Sequence, residues 1–242
     1  MEVHHHPHHV THKKKISEYL LEFFMLFLAV FLGFIAENIR EHLADKKRGQ
    51  EYVRSFVEDL KKDTSQYSKL LHEYAFMDSV TNQITACYDT IAHHSASTMC
   101  LGNIIPYLIS FTDFVYTDRT IQQLKTTGGL RLIEDKNAVD SIISYDALVR
   151  SELIHQDVLE NYQAKSTDAI KGMIDFSSFH QIYSQNPEAA PGPKLSLTNK
   201  EAIDKLFNDL WIFKMNVKSQ AYNMNKLKMN AGRLIAYLEN KL

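Results

Sequence analysis

From Ile16 to Ala36 the chain is apolar apart from Ser17, Glu18 and Glu22. A helix of this length rises roughly 31 Å, close to the thickness of a bilayer's hydrocarbon core. The stretch predicts a transmembrane helix. Past Ala36 polarity rises, no proline intervenes, and Val53, Leu60, Tyr67 and Tyr74 recur every seven residues with Phe56, Leu70, Met77 and Ile84 between them. That spacing predicts one continuous helix from about Ser17 to Thr90, its apolar stripe surviving to about Ile91, with Gly49 as the hinge between anchor and stalk.

The same periodicity marks two further long helices. One, over about 137–175, turns Ile142, Val149, Leu153, Leu159, Ile170 and Met173 inward. The other, over about 199–242, repeats Ile203, Leu210, Val217, Met224, Ala231 and Leu238 at intervals of seven, with Leu206, Phe213, Leu227 and Leu234 between them and Gln220 as the polar exception. A stripe this regular predicts long, nearly parallel helix packing. Met215, Met224 and Met229 read as packing residues, and Trp211 as a boundary residue or a ligand platform. Thr198 and Glu201 form a capping box at the start of the last helix. Between the long helices lie a small, polar turn over 92–103, a short apolar element from Ile104 to Phe114 interrupted by Pro106, and a loop over 183–197 with Pro187, Pro191, Gly192 and Pro193. Gly128 and Gly129 end a helix, and Asn137 is the expected cap of the next.

The predicted fold is all-α: a tail over 1–15, a transmembrane helix over 16–36, and an elongated antiparallel helical bundle over 37–242 built from the long helices 37–91, 137–175 and 199–242. Eight Gly and five Pro in 242 residues leave little of the punctuation of a sheet protein. A formal net charge of −2 carries no electrostatic footprint for nucleic acid, which is not an expected partner.

Lys13, Lys14 and Lys15 followed by the apolar run resemble a secretory signal. Cleavage before Glu37 would require a small residue where Phe34 stands, so the run reads as an uncleaved signal anchor. Arg40, Lys46, Lys47 and Arg48 nearly balance the three lysines across the span. The downstream cations alternate with Glu37, Glu41 and Asp45, and the expectation is a single-pass protein with its N-terminus in the cytoplasm and the large region outside it. Within the span, Glu22 is a candidate for proton handling or helix pairing, or an acid reaching the interface. Ala29 and Gly33 form a small-xxx-small pair that admits a second helix.

Candidate chemistry is sparse. Cys87 and Cys100 are a candidate disulfide in an oxidising compartment and stay reduced in the cytosol. His4, His5, His6, His8, His9 and His12 in the tail are candidate metal ligands of no fixed geometry. His93 and His94 read as exposed loop residues. Glu152 and His155 form an ExxH pair, but a di-metal bundle needs a second ExxH and two further glutamates, and no second ExxH occurs. Neither GxGxxG nor GxxxxGK[ST] is present, which removes the phosphate-loop reading of the paired glycines. No catalytic activity and no cofactor are expected.

Thr120, Leu124, Lys125, Gly128, Leu130, Leu132, Ile133 and Asp135, followed by Ile142, Ile143 and Tyr145, carry an L-K-x-x-G-x-L-x-x-I segment joining two helices. This segment and the opening EFFMLFLAVFLGFIAENIREH, Glu22 to His42, resemble an uncharacterised family of single-span, membrane-anchored helical proteins of Gram-negative bacteria. The resemblance covers about a quarter of the chain and implies no reaction or cofactor. The expected function is a membrane-anchored structural or interaction protein, in contact with the lipid bilayer, whose bundle docks a protein partner or self-associates. The alternatives are a periplasmic sensor-type domain binding a small ligand, and a metal-binding protein.

Overall fold

The computed structural model describes residues 15–92, 98–109, 113–178, 180, 192–196 and 199–241. The tail histidines, His93, His94, Pro187, Pro191 and Thr198 lie outside them. The described chain is all-α: α1 (Ile16–Thr81), α2 (Ile84–Ala92), α3 (Met99–Ile109), α4 (Arg119–Thr126), a 3-10 turn (Gly129–Leu132), α5 (Lys136–Met173) and α6 (Lys200–Glu239). Extended pairing among the described residues is confined to one isolated bridge between Ile174 and Leu195.

The heptads of α6 are buried without exception from Ile203 to Leu238, Gln220 included. At about 1.5–3 kcal/mol per buried aliphatic or aromatic side chain, this stripe is a principal source of cohesion. Met224 packs inside as expected, whereas Met215 and Met229 are about half exposed, because they fall on the helix's outer face. Trp211 is half exposed too, with the Lys214 ammonium 5.4 Å from its ring.

Several local expectations are corrected. The first helix does not run unbroken to Thr90: it stops at Thr81, and α2 begins after Asn82 and Gln83. Gly49 is not a hinge but lies inside α1 where the Leu132 carbonyl comes so close that a Cβ would sit 2.1 Å from its oxygen. The cap of α5 is Asp135, which accepts from the N–H groups of Asn137 and Ala138, so Asn137 is already inside the helix. The cap of α6 is Asn199, accepting from the Ala202 N–H at 2.8 Å. Helix α3 starts at Met99, inside the expected turn, and carries Pro106 in its interior. Of the glycine pair, Gly128 stops α4 as expected, taking φ of 68°, the left-handed conformation open to glycine, whereas Gly129 does not share it and opens the 3-10 turn.

Paired side chains give the order of contacts between elements. Along α1 and α2, Lys61, Asn82 and Tyr88 meet Glu239, Lys214 and Asp204 of α6 in turn. On α5, Asp135 meets Tyr237 and Lys241, and Glu152 meets Asn223. The segment 113–135 descends along α1 in the same ordered way: Val115 meets Gln66, Thr117 meets Asp63, Thr120 meets Asp59, Leu132 meets Gly49 and Glu134 meets Lys46. It forms a strap between α1 and α5.

Cys87 on α2 and Cys100 on α3 are joined in a disulfide, their Cα atoms 5.7 Å apart. Near them, Asp175 N–H donates to the Lys194 carbonyl and Ser196 N–H to the Met173 carbonyl, which ties residues 194–196 to the end of α5.

Candidate functional site

The strap is held by a buried polar network. Asp59 and Asp63 stand one turn apart on α1 and are each 1% exposed. Asp59 accepts from the Thr120 N–H at 3.1 Å, from the Thr120 hydroxyl, and from Arg119 at 3.1 Å. Asp118, the residue preceding α4, makes no side-chain cap; Asp59 supplies it from a different helix. Asp63 accepts the Thr117 N–H at 3.0 Å through Oδ1, while its Oδ2 is buried with no hydrogen-bond partner among the described residues. Burial pushes the Asp63 carboxyl up to about 6, with the neighbouring Asp59 and Asp118 charges acting in the same direction against the Thr117 hydrogen bonds.

On the α5 side the hub is Asp146, 2% exposed. It accepts from Tyr116 at 3.1 Å, from Arg150 at 3.1 Å and from Lys125. Burial alone would raise its carboxyl, but these donors outweigh that cost and hold it below the ordinary carboxylate value. Arg150 also reaches Asp118 at 3.3 Å and lies 5.7 Å from the centre of the Tyr116 ring. Between the two acid centres the hydroxyls of Tyr67 and Tyr145 are 2.9 Å apart, both phenols raised by burial. The Phe114 ring lies tilted against that of Tyr67, their centres 4.8 Å apart, and the Gln66 side chain brackets Val115 with one bond to its carbonyl and one from its N–H. The network fixes the strap to both helices and contains one carboxyl, Asp63, able to exchange a proton near neutrality.

A cleft of about 350 Å³ opens at the end of the bundle nearest the apolar part of α1. Its floor includes Val53, Ile133, Ala138 and Leu238. Two ion pairs mark its rim, Lys46 with Glu134 and Lys241 with Asp135, each 3.1 Å. The Lys241 ammonium holds Asp135 below its ordinary value, assisted by the Ala138 N–H and the Tyr237 hydroxyl.

The structure does not bring the ExxH pair together as a ligand set. Glu152 is buried against α6, taking a 2.8 Å hydrogen bond from Asn223, and His155 is exposed. No group of three or more metal-ligating side chains occurs among the described residues. Glu22, Ala29 and Gly33 all lie on the exposed surface of α1, and no heavy atom comes within 4 Å of a Cβ placed on Gly33.

Sequence reasoning missed the whole strap network. One signal was available: Asp63 occupies the position between Phe56 and Leu70 in the seven-residue repeat, an acid in core register. Thr120 and Lys125 of the strap segment also prove to be the partners of Asp59 and Asp146. Comparison of the chain with protein-family models, with curated proteins and with solved structures finds no match.

Proposed function

We propose that this is a single-span membrane protein of the bacterial inner membrane whose helices form an elongated antiparallel bundle on the periplasmic side, and that it acts as a structural or interaction protein, docking a protein partner near the bilayer. The observation that carries this reading is the division of α1. Its apolar stretch is long enough to cross a membrane and none of it is buried within the chain, while the same helix, unbroken, supplies one wall of the packed region. A core helix would bury that stretch. Here some external apolar phase must cover it, and a bilayer has the matching thickness.

The order of paired side chains supports the antiparallel arrangement, since positions rise along α1 and α5 as they fall along α6. The Cys87–Cys100 disulfide supports an oxidising compartment for the bundle. The strap network supports a scaffold role, because its hydrogen bonds hold elements together rather than converging on an open pocket.

Crosslinking in native membranes, followed by identification of neighbours, tests the interaction reading. The expected result is a reproducible heterologous or self-linked species; recovery of monomer alone, under conditions that capture known complexes, removes it. Reporter fusions at both termini test the orientation, and a cytoplasmic C-terminus would exclude the periplasmic bundle.

A further inference from the structure

The stripe of α1 that packs inside the bundle does not end where the bundle ends. Counting back from Val53, alternating steps of four and three residues reach Gly49, Lys46, His42, Ile39, Ile35, Leu32 and Leu28, all on one helix face. The first three of these eight positions line the basal cleft. The last three belong to the apolar span. Between them lie His42 and Ile39; Ile39 is 55% exposed and the flanking Leu43 is 60% exposed. An apolar track therefore runs along one side of α1 from the span as far as Ile39 and Leu43, and His42 and Lys46 stand between it and a cleft with an apolar floor and a charged rim.

The heights set the geometry. From Ile16 to Ile39, with Glu37 and Asn38 between the apolar run and Ile39, α1 rises about 36 Å, which exceeds a hydrocarbon core of about 30 Å and sets the boundary between Ala36 and Ile39. The Lys46 backbone then stands about 10–15 Å beyond that boundary, roughly 3–10 Å outside a headgroup layer roughly 5–7 Å deep, a gap that a lysine side chain reaching back toward the bilayer narrows. The rim chemistry fits. Two ammonium groups, Lys46 and Lys241, pair with the consecutive carboxylates Glu134 and Asp135, so the rim carries both signs and complements a head with one charge of each.

We infer that the basal cleft and the track below it form a binding site for one aminophospholipid of the adjoining leaflet, its acyl chain lying along Ile35, Ile39 and Leu43 and its head seated at the rim. The phosphate takes hydrogen bonds from Lys46 and Lys241. The headgroup ammonium donates to Glu134, whose carboxylate is half exposed, whereas Asp135 is already committed to capping α5. The apolar floor keeps water from the inner side of these contacts and strengthens them. A second copy of the chain is the poorer occupant: a parallel α1 could cover Ile39 and Leu43, but at the height of the rim it would present its own Lys46 instead of a head carrying both charges. The inference rests on the membrane-anchored reading of α1.

The test uses the full chain in phosphatidylglycerol nanodiscs doped with phosphatidylethanolamine that carries a photoreactive group in its head, with crosslinks mapped by mass spectrometry. Crosslinks at Lys46 and at 132–135 are expected, weakened about five-fold or more by Lys46→Glu and by the exposed double change Ile39→Asn with Leu43→Asn. Unchanged helicity and melting of these variants show that the fold is intact. Crosslinks restricted to 16–36, crosslinks indifferent to both variants, equal labelling by a phosphatidylglycerol probe of the same design, or chain-to-chain links through Ile39 and Leu43 would each overturn the assignment. Failure of the chain to co-elute with nanodiscs would instead refute the anchor itself.

Discussion

Asp59 accepts both the backbone N–H and the hydroxyl of Thr120, so the first turn of α4 is capped by a residue sixty-one positions earlier on another helix. A cap within the chain's own loop stabilises one helix end. This one also fixes where the strap crosses α1. Asp59→Ala removes the cap and leaves a buried N–H and hydroxyl unpaired, at an expected cost of about 2–4 kcal/mol in denaturant unfolding. Hydrogen exchange should localise the loss to 117–126; a uniform loss across α5 and α6 would contradict the assignment.

Gly49 offers a test whose sign differs between two readings. At a helix hinge, Gly49→Ala stabilises by up to about 1 kcal/mol through intrinsic propensity. Against the Leu132 carbonyl, the added methyl forces backbone apart, and a loss of about 1–3 kcal/mol is expected. A melting temperature raised by the substitution would restore the hinge.

The carboxyl of Asp63 stands at about 6 in the fold against an ordinary 3.8. Folding therefore favours its neutral form, so this group's contribution is complete below pH 3.8 and is lost as pH rises through about 6. It amounts to at most about 3 kcal/mol. Asp146 and Asp135 act oppositely: their carboxyls are held low, and the stability they supply above the unfolded value disappears as pH falls through their folded values. On these groups the fold should accordingly be most stable near pH 4 and lose stability from there to about pH 6. Asp63→Asn should flatten the decline from about pH 4 to pH 6, measured by chemical denaturation; an unaltered slope would place the titration elsewhere.

Closing a loop of 13 residues' separation, the Cys87–Cys100 bond should contribute about 3 kcal/mol by restricting the unfolded chain. Reductant should lower the melting temperature of the wild-type chain and leave Cys87→Ser/Cys100→Ser unaffected. Protein isolated from membranes with free thiols blocked should show neither cysteine alkylated.

What was legible in the sequence was periodic. The α6 stripe was readable throughout because each of its positions answers to one continuous neighbour surface, and even Gln220 kept its register. Helices 137–175 and 199–242 were bounded to within a few residues for the same reason. Gly49 was misread because a glycine inside a helix has the same local signature whether it bends or admits a neighbour, and the neighbour, Leu132, is eighty-three residues away. Asn137 and Asp135 both carry a suitable capping oxygen, and which of them caps α5 is decided by where the preceding segment docks, which is tertiary. The strap network and the basal cleft combine residues from three or four distant segments. No spacing within any one segment announces them.

Because α1 runs from Ile16 to Thr81 without a break, on the proposed membrane placement it would have no joint at which motion in the bilayer is absorbed before reaching the packed helices. From Ala36 to Thr81 the arm measures about 68 Å, so a tilt of about 20° carries its tip sideways by about 23 Å. In a thinner or thicker membrane the far end of the molecule, with its α2–α3 crosslink, would sweep across the space above the bilayer like the end of an oar. On that placement the reach of the protein would be set by the lipid around its other end.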